Sequence, residues 1–134
     1  MLEKSVAYYR PLAEVKRIDF ALSLSPCSYP IPEAQAILLF GNLIGNAIKY
    51  SSPNSTITID LHHSVLRIKD EGIGIAPEKQ QEIFEKFRRG TEYSGGFGVG
   101  LSIVKHICME YGIGITLDSV SGDGTEFRLS FVNV

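Results

Sequence analysis

The sequence predicts a two-layer α/β sandwich, with a mixed sheet and about three helices on one face. The predicted strands come in adjacent pairs that helices interrupt, in the order β, α, β, β, α, α, β, β. Two segments are strongly helical, and the first strand alternates apolar with polar or small residues, as a half-buried strand does. Such an order is typical of a sheet with helices packed against it. The 134-residue length suits one domain with a single core, which we assign to residues 16–134.

The elements follow from periodicity and from residues that break regular structure. Residues 1–15 have helical apolar spacing that we expect to break near Tyr9–Pro11, and we assign them to the tail of a preceding helix or to a linker. Three prolines within residues 26–32 end the first strand, and Pro32-Glu33 suits a helix start. The predicted strands are Ile18–Leu24, Thr56–His62, Val65–Asp70, Ile113–Ser119 and Thr125–Val132. The later predicted helices are Glu33–Tyr50, Glu78–Phe87 and Val99–Tyr111, with a glycine-rich loop at 90–98.

Composition and charge argue against several classes of function. The 13 basic and 15 acidic residues give a net charge of −2, which lacks the footprint of a nucleic-acid or membrane-surface module. We expect neither a membrane-spanning helix nor a signal segment, because the sequence shows no long apolar run. Cys27 and Cys108 match no ligand spacing. We therefore expect buried thiols in a reducing, cytoplasmic compartment and no zinc site.

The helix predicted over residues 33–50 carries an unusual polar stripe. Asn42, Asn46, Lys49 and Tyr50 recur at i, i+4, i+7 and i+8, away from the apolar stripe of the helix. Asparagine is a poor helix former, and a merely solvated face, which is the ordinary alternative, would more readily use Glu, Lys or Gln. Two amides one turn apart, followed by a cation and an aromatic ring, could offer oxygen ligands to Mg²⁺, a phosphate contact and a surface for base stacking.

A second pattern lies at residues 68–75, where an apolar strand ends in Asp70 and glycines alternate with isoleucines. Gly72 and Gly74 let the backbone turn sharply and approach a ligand closely. Asp70 could accept a hydrogen bond from an exocyclic amine such as that of adenine. The alternative is a β-turn whose aspartate bonds its own backbone.

A third pattern is the glycine run at residues 95–100, which leads directly into a predicted helix. Glycines before a helix expose N–H groups at the positive end of the helix dipole and favour an anion site. A flexible lid without a ligand is the alternative. The spacing matches neither the P-loop nor the Rossmann pattern, and Ser102-Ile-Val-Lys105 lacks the companion motifs of serine β-lactamases. The histidines are interpreted as surface or packing residues: His62, His63 and His106.

Together and in this order, these segments resemble the catalytic, ATP-binding domain of sensor histidine kinases, in the Bergerat-fold superfamily. The resemblance covers about residues 18–132 and depends on five motifs in register. They are the N box at 42–51, the first glycine box at 70–75, the F box at 83–90, the second glycine box at 96–105 and a segment at 122–127 that matches the closing Gly-Thr-x-Phe pattern.

The resemblance implies a role for each matching residue. Asn46 would coordinate Mg²⁺, while Lys49 and the F-box Arg89 would contact phosphate, and these three would be the catalytic residues. Asp70 would bind the adenine amino group. The implied nucleotide-binding residues are Asn42, Asn46, Lys49, Tyr50, Asp70, Gly72, Gly74, Ile75, Gly96, Gly98, Val99, Gly100, Leu101 and Thr125. Two departures from the family pattern are Val99, where leucine is usual, and a short lid at 90–95.

The resemblance also implies what the domain does. It would bind ATP and Mg²⁺ and transfer the γ-phosphoryl group to a histidine on a separate dimerisation domain of the same kinase, with a response regulator downstream. The domain alone should not phosphorylate itself. We expect a monomer in isolation, without nucleic-acid or membrane contacts, within a kinase that is cytoplasmic or membrane-anchored. The alternatives are a serine-directed kinase of the anti-sigma type and a nucleotide-gated interaction module without transfer.

Overall fold

A computed structural model of the chain describes residues 2–25, 29–72, 98–120 and 124–131. The helices are α1 (Leu2–Val15), α2 (Glu33–Tyr50) and α3 (Gly98–Tyr111). The strands are β1 (Asp19–Leu24), β2 (Thr56–His62), β3 (Val65–Lys69), β4 (Gly114–Val120) and β5 (Gly124–Ser130). These bounds agree with the predicted ones to within one or two residues, apart from the break expected within α1. The helix predicted at 78–87, the loop at 90–97 and Cys27 lie outside the described residues.

The five strands form one mixed sheet in the order β1-β2-β3-β5-β4. β1 runs parallel to β2, and the other neighbouring pairs are antiparallel. A two-residue turn joins β2 to β3, and both of its residues, His63 and Ser64, have positive φ angles of 54° and 63°. Positive φ at both positions gives the backbone twist that antiparallel neighbours need.

One face of the sheet is apolar and packs against the helices, whereas the other is charged. The helix-facing strand residues are buried: Ile57, Ile59, Leu66, Ile68, Phe127 and Leu129. They meet the apolar faces of α2 and α3, which include Leu43, Ile44, Leu101 and Val104. The opposite face carries ion pairs across neighbouring strands, such as Arg67 with Asp60 and Arg128 with Asp118. The predicted α/β sandwich with helices on one face is therefore confirmed.

The expected break of the first helix near Tyr9–Pro11 is wrong, because α1 runs through Pro11 to Val15. Proline lacks the N–H that would bond the carbonyl of Ala7, which costs a helix one hydrogen bond. Ala7 and Pro11 are both exposed, so water can satisfy that carbonyl. On the other side of the helix, Val6 and Ala13 are buried in the core and hold the two halves against α2.

None of the described helices is both long and apolar enough to cross a membrane. The thiol of Cys108 on α3 is buried, and this burial raises its pKa to about 12. Such a thiol is inert as a nucleophile, as expected for a packing residue.

Candidate functional site

The two asparagines of α2 face the first turn of α3. A Cβ atom placed on Gly100 would lie 3.1 Å from Asn42 Oδ1 and 3.8 Å from Asn46 Nδ2. Asn42 Nδ2 donates to the Leu38 carbonyl oxygen at 2.7 Å, one turn back on its own helix. Glycine at position 100 thus lets the start of α3 approach the two amides closely.

Asn46 stands out because its Nδ2 atom is buried and has no hydrogen-bond partner among the described residues. Buried amide groups are nearly always hydrogen-bonded, so a ligand or an ordered water is the natural partner at this position. Asn42 is also partly buried. A solvated helix face, the alternative considered for this stripe, therefore does not describe these two side chains.

The end of α2 carries the cation and the aromatic ring of the stripe. Lys49 is exposed, and its Nζ atom lies 5.7 Å from the centroid of the partly buried Tyr50 ring. This distance is within the range of a cation–π interaction. The structure thus places a positive charge and a ring face together, one turn after Asn46.

The first turn of α3 begins at Gly98 and includes Gly100 and the fully buried Leu101. The first four N–H groups of a helix have no partner within the helix, and the helix dipole gives that end a partial positive charge. With Asn42 Oδ1 and Asn46 Nδ2 opposite, the site combines an amide oxygen with N–H donors. That combination suits a cation-bound phosphate group.

Asp70 is a buried carboxylate held by backbone N–H groups of its own turn and of β5. Its Oδ1 atom accepts hydrogen bonds from Gly72 N at 3.0 Å and from Thr125 N at 3.1 Å. Its own backbone N–H donates to the Thr125 carbonyl oxygen at 2.9 Å. Burial raises the pKa of the Asp70 carboxyl, and the bonds from Thr125 and Gly72 oppose part of that rise.

Two glycines next to Asp70, Gly72 and Gly124, lie so close to other backbone atoms that neither position has room for a side chain. A Cβ atom on Gly72 would lie 1.9 Å from the Tyr50 carbonyl oxygen. A Cβ atom on Gly124, which has a φ of +120°, would lie 2.2 Å from the Asp70 carbonyl oxygen. Both positions require glycine, because such contacts are far shorter than any real side chain makes.

The end of α2 connects the two halves of the site. Ser51, the residue after α2, forms an isolated antiparallel bridge with Gly72, and Ser52 N donates to the Glu71 carbonyl oxygen at 3.2 Å. The Ser51 Oγ atom is buried and has no hydrogen-bond partner in the described part of the chain. One helix therefore carries the amides at its middle and meets the Asp70 turn at its end.

The structure brings together most of the predicted site residues that it describes. Asn42, Asn46 and Gly100 form one cluster, and Asp70, Gly72 and Thr125 form the other. Four predicted residues lie outside the described part of the chain: Gly74, Ile75, Arg89 and Gly96. For Gly98 and Val99 only the helical backbone is described.

The sequence analysis assigned no role to three residues that support the site, which are Lys16, Ser119 and Gly124. Ser119 Oγ donates to the Gly124 carbonyl oxygen at 3.0 Å and shares a 2.9 Å hydrogen bond with Thr125 Oγ1. Lys16, at the end of α1, bonds the end of α2. Only Gly124 had a sequence signal, as part of the closing Gly-Thr-x-Phe segment.

The three histidines occupy other parts of the molecule. The ring nitrogens of His62 pair with Ser23 Oγ at 2.8 Å and Ser25 Oγ at 2.7 Å, across β1 and β2. His63 lies in the exposed β2–β3 turn, and His106 lies on the exposed side of α3, 3.4 Å from Glu110.

Comparison with known proteins identifies the class to which this fold and site belong. The chain belongs to the family of histidine kinase-, DNA gyrase B- and HSP90-like ATPases, which matches residues 32–133.

Within that family, several proteins similar to this chain are named as sensor histidine kinases. Sensor-like histidine kinase SenX3 of Mycobacterium tuberculosis is 38% identical over 70% of this chain and 25% of its own length. Sensor histidine kinase RppB of Synechocystis sp. is 35% identical over 72% of this chain and 23% of its own length. SenX3 of Mycolicibacterium smegmatis is 30% identical over 97% of this chain and 36% of its own length. The chain thus spans about a quarter to a third of these relatives.

Solved structures show the same fold. The mycobacterial sensor histidine kinase MprB has a TM-score of 0.84 and 24% identity, and the match covers 97% of this chain and 90% of that one. The catalytic domain of histidine kinase ThkA has a TM-score of 0.76 and 22% identity, covering 97% and 88%. The resemblance to sensor histidine kinase catalytic domains, and the ATP-binding class that it implies, are therefore confirmed.

Proposed function

We propose that this domain binds Mg·ATP and donates the γ-phosphoryl group to a histidine on a separate dimerisation domain of the same kinase. The observation that carries the proposal is the position of α2. This helix presents the orphaned amide of Asn46 to the start of α3 and meets the buried carboxylate of Asp70 at its end. A ligand with a base at one end and phosphates at the other fits two such groups of residues, one at the middle of α2 and one at its end.

Asp70 is suited to recognise the adenine amino group. Its Oδ1 atom is occupied by two backbone N–H groups, and the described residues offer its Oδ2 atom no hydrogen bond. A carboxylate oxygen accepts but cannot donate when ionised, so it selects a base with an exocyclic amine. Tyr50 would stack on the base from the end of α2, with Thr125 close to the same carboxylate.

Asn42, Asn46 and the first turn of α3 are suited to the phosphate end. Amide oxygens are good ligands for Mg²⁺, which prefers oxygen and usually binds together with substrate phosphates. Bound there, Mg²⁺ would neutralise phosphate charge. Lys49 would add a positive charge, and the N–H groups at Gly98–Gly100 would add hydrogen bonds. Arg89 of the F box would reach phosphate as well.

Phosphoryl transfer on this view requires no covalent residue in the chain. Positioning and charge neutralisation supply most of the catalysis in such reactions. The acceptor histidine, the response regulator and the cytoplasmic location remain part of the proposal. The acceptor histidine is supported by the names of the relatives RppB and SenX3, which are sensor histidine kinases. Nucleotide binding is supported by the solved structure of full-length ShkA, which is 25% identical to this chain and is in complex with AMPPNP.

Isothermal calorimetry with a non-hydrolysable ATP analogue, with and without Mg²⁺, tests the proposal. We expect Asn46→Ala to abolish the Mg²⁺-dependent part of ATP binding and to leave adenosine binding nearly unchanged, because the two ends of the ligand bind different residues. Gln35→Ala, which removes an amide at the other end of α2, serves as the control. Equal weakening of both ligands would make Asn46 a structural residue, and no binding by the wild-type domain would refute the proposed function.

A further inference from the structure

We propose that Lys16 is a positioning residue for the nucleotide site, an inference that rests on the proposed function. Lys16 lies in the connection between α1 and β1, outside every motif of the site. Its Nζ atom donates to the Ile48 carbonyl oxygen at 2.9 Å and to the Lys49 carbonyl oxygen at 3.1 Å. These carbonyls belong to the last turn of α2, the turn that carries Lys49 and Tyr50.

The hydrogen bonds of that last turn show why a distant lysine matters. The last four carbonyls of a helix have no partner within it. In α2, the Ala47 carbonyl accepts a hydrogen bond from Ser51 N at 3.0 Å. The carbonyls of the next two residues, Ile48 and Lys49, accept hydrogen bonds from Lys16 Nζ. Among the described residues, Lys16 is the side chain that donates to these two carbonyls and ties the last turn of α2 to the end of α1. The position of the last turn of α2, which carries Lys49 and Tyr50, thus depends on a residue more than thirty positions earlier in the chain.

Lys16 is itself held at a defined position. Its backbone N–H donates to the Ala13 carbonyl oxygen at 3.1 Å, and its carbonyl oxygen accepts from Asn54 N at 3.0 Å. Because Asn54 lies in the loop after α2, the same residue contacts α1, the end of α2 and the following loop. Because both the N–H and the carbonyl group of Lys16 are hydrogen-bonded, its side chain can hold the end of α2 in a fixed position.

Charge gives a second reason for this role. The C-terminal end of a helix carries a partial negative charge, and a cation there is stabilising. Lys16 provides that cation through direct hydrogen bonds, so the Lys49 side chain is not needed for it. Lys49 is exposed and remains available for a phosphate group. The two lysines therefore have different roles, because Lys16 holds the end of α2 and Lys49 faces the ligand.

Three variants test this inference by calorimetry with Mg²⁺ and the non-hydrolysable ATP analogue. Lys16→Met keeps the aliphatic stem and removes the donors, Lys16→Arg keeps a cationic donor, and Lys4→Met makes the same change at an exposed lysine of α1. We expect Lys16→Met to weaken binding about ten-fold, Lys16→Arg to restore most of the affinity, and Lys4→Met to leave it unchanged. Urea unfolding shows that each variant is folded under the conditions of the titration.

Amide hydrogen exchange gives a readout that needs no ligand. In Lys16→Met without nucleotide, the N–H groups of Ser51 and Ser52 should exchange faster, while those of β3 and β5 should not change. Wild-type affinity in folded Lys16→Met, or no recovery in Lys16→Arg, would overturn the inference. If Lys16→Met does not fold, Lys16→Gln replaces it, and wild-type affinity in that variant has the same meaning. Absence of binding by the wild-type domain would instead refute the proposed function, which separates the two failures.

Discussion

Asp70 is the residue at which stability and function oppose each other most directly. Its carboxyl group is buried beside the end of α2, and burial raises its pKa. A raised pKa means that the folded chain binds the proton more tightly than the unfolded chain does. The ionised form that the proposed adenine contact needs is therefore the form that the fold disfavours.

Replacing Asp70 by asparagine should have effects of opposite sign on stability and on binding. Asn keeps an oxygen for the N–H groups of Gly72 and Thr125 and removes the buried charge, so the unliganded domain should become more resistant to urea at neutral pH. ATP affinity should fall by about 2–4 kcal/mol, because an amide N–H would face the adenine amine. Urea unfolding and calorimetry on the same preparation measure both effects. Unchanged affinity in a folded variant would remove Asp70 from the site.

The pH dependence of the unliganded domain follows from the same group. Since the pKa of Asp70 is higher when folded, its contribution to the free energy of unfolding is most favourable at low pH. That contribution is lost as the pH rises from 3.8, which is the ordinary pKa of the carboxyl, through the higher pKa that the carboxyl has in the folded chain. Urea midpoints of wild type and Asp70→Asn should therefore diverge as the pH rises above 3.8, with the variant gaining. Parallel curves over this range would contradict this assignment.

At the scale of elements, α1 and α3 end in the same hydrogen-bonded motif with different residues at the critical position. At the end of α1, Ile18 N donates to the Ala13 carbonyl oxygen at 2.9 Å and Arg17 N to the Glu14 carbonyl oxygen at 3.0 Å. At the end of α3, Ile113 N donates to the Cys108 carbonyl oxygen at 2.8 Å. This is the Schellman pattern, in which the residue after the helix takes a left-handed conformation. Gly112 does so with a φ of 70°, and Arg17 does so with a φ of 58°.

We expect Arg17→Gly to stabilise the domain by about 1 kcal/mol, because glycine adopts the left-handed conformation without the strain of a side chain. The reverse comparison is Gly112→Ala, which should destabilise the domain by a similar amount. Thermal and urea unfolding of both variants measure the difference. A loss of stability in Arg17→Gly would mean that the arginine side chain makes a compensating contribution in the folded state.

The packing of α1 on α2 leads to another prediction at this scale. The Tyr9 ring lies across two glycines one turn apart, and Cβ atoms on Gly41 and Gly45 would lie 3.4 and 3.5 Å from its nearest atoms. Gly41→Ala should therefore fit and should gain about 0.5–1 kcal/mol from helix propensity. Gly41→Leu should displace the ring and cost about 1–3 kcal/mol. If both variants have the same stability in urea, Tyr9 does not occupy this groove.

At the scale of the whole molecule, the proposed donor site and the histidines are separate. His62 is held between two serines, His63 lies in a turn, and His106 lies on the exposed side of α3. Phosphoryl transfer needs an acceptor in line with the γ-phosphorus, and its local concentration supplies much of the rate. These histidines belong to regular elements or to their turn and cannot reach such a position without local unfolding.

The domain incubated alone with radiolabelled Mg·ATP should therefore bind nucleotide and acquire almost no acid-labile label. Addition of a separate dimeric helical hairpin with the cognate histidine should give rapid labelling, and the label should be on the hairpin. Autoradiography after gel electrophoresis shows which of the two polypeptides carries the label. Rapid stoichiometric labelling of this domain alone would contradict its proposed role as a donor domain.

Much of the fold could be predicted because the patterns that define its helices and strands lie within short segments of the sequence. The bounds of α2 agree with the prediction since its apolar period and its Pro-Glu start lie within one segment. The turn at His63-Ser64 separates two apolar runs by two residues, which is a hairpin signal by itself. The break expected at Pro11 was wrong because Val6 and Ala13 are buried in the core on both sides of the proline, and this burial outweighs the loss of one hydrogen bond.

The sequence by itself determined the family, the order of the described strands with α2 and α3, and the residue types of the site, because each motif is a short pattern with a fixed spacing. Only the tertiary structure decided which groups meet. The bond from Thr125 to Asp70 joins residues 55 positions apart, and the bond from Lys16 to the Ile48 carbonyl joins residues 32 positions apart. Burial of the Asn46 amide and the raised pKa of Asp70 likewise depend on neighbours from other elements. Contacts of this kind arise from packing between distant segments, for which spacing along the chain carries no signal.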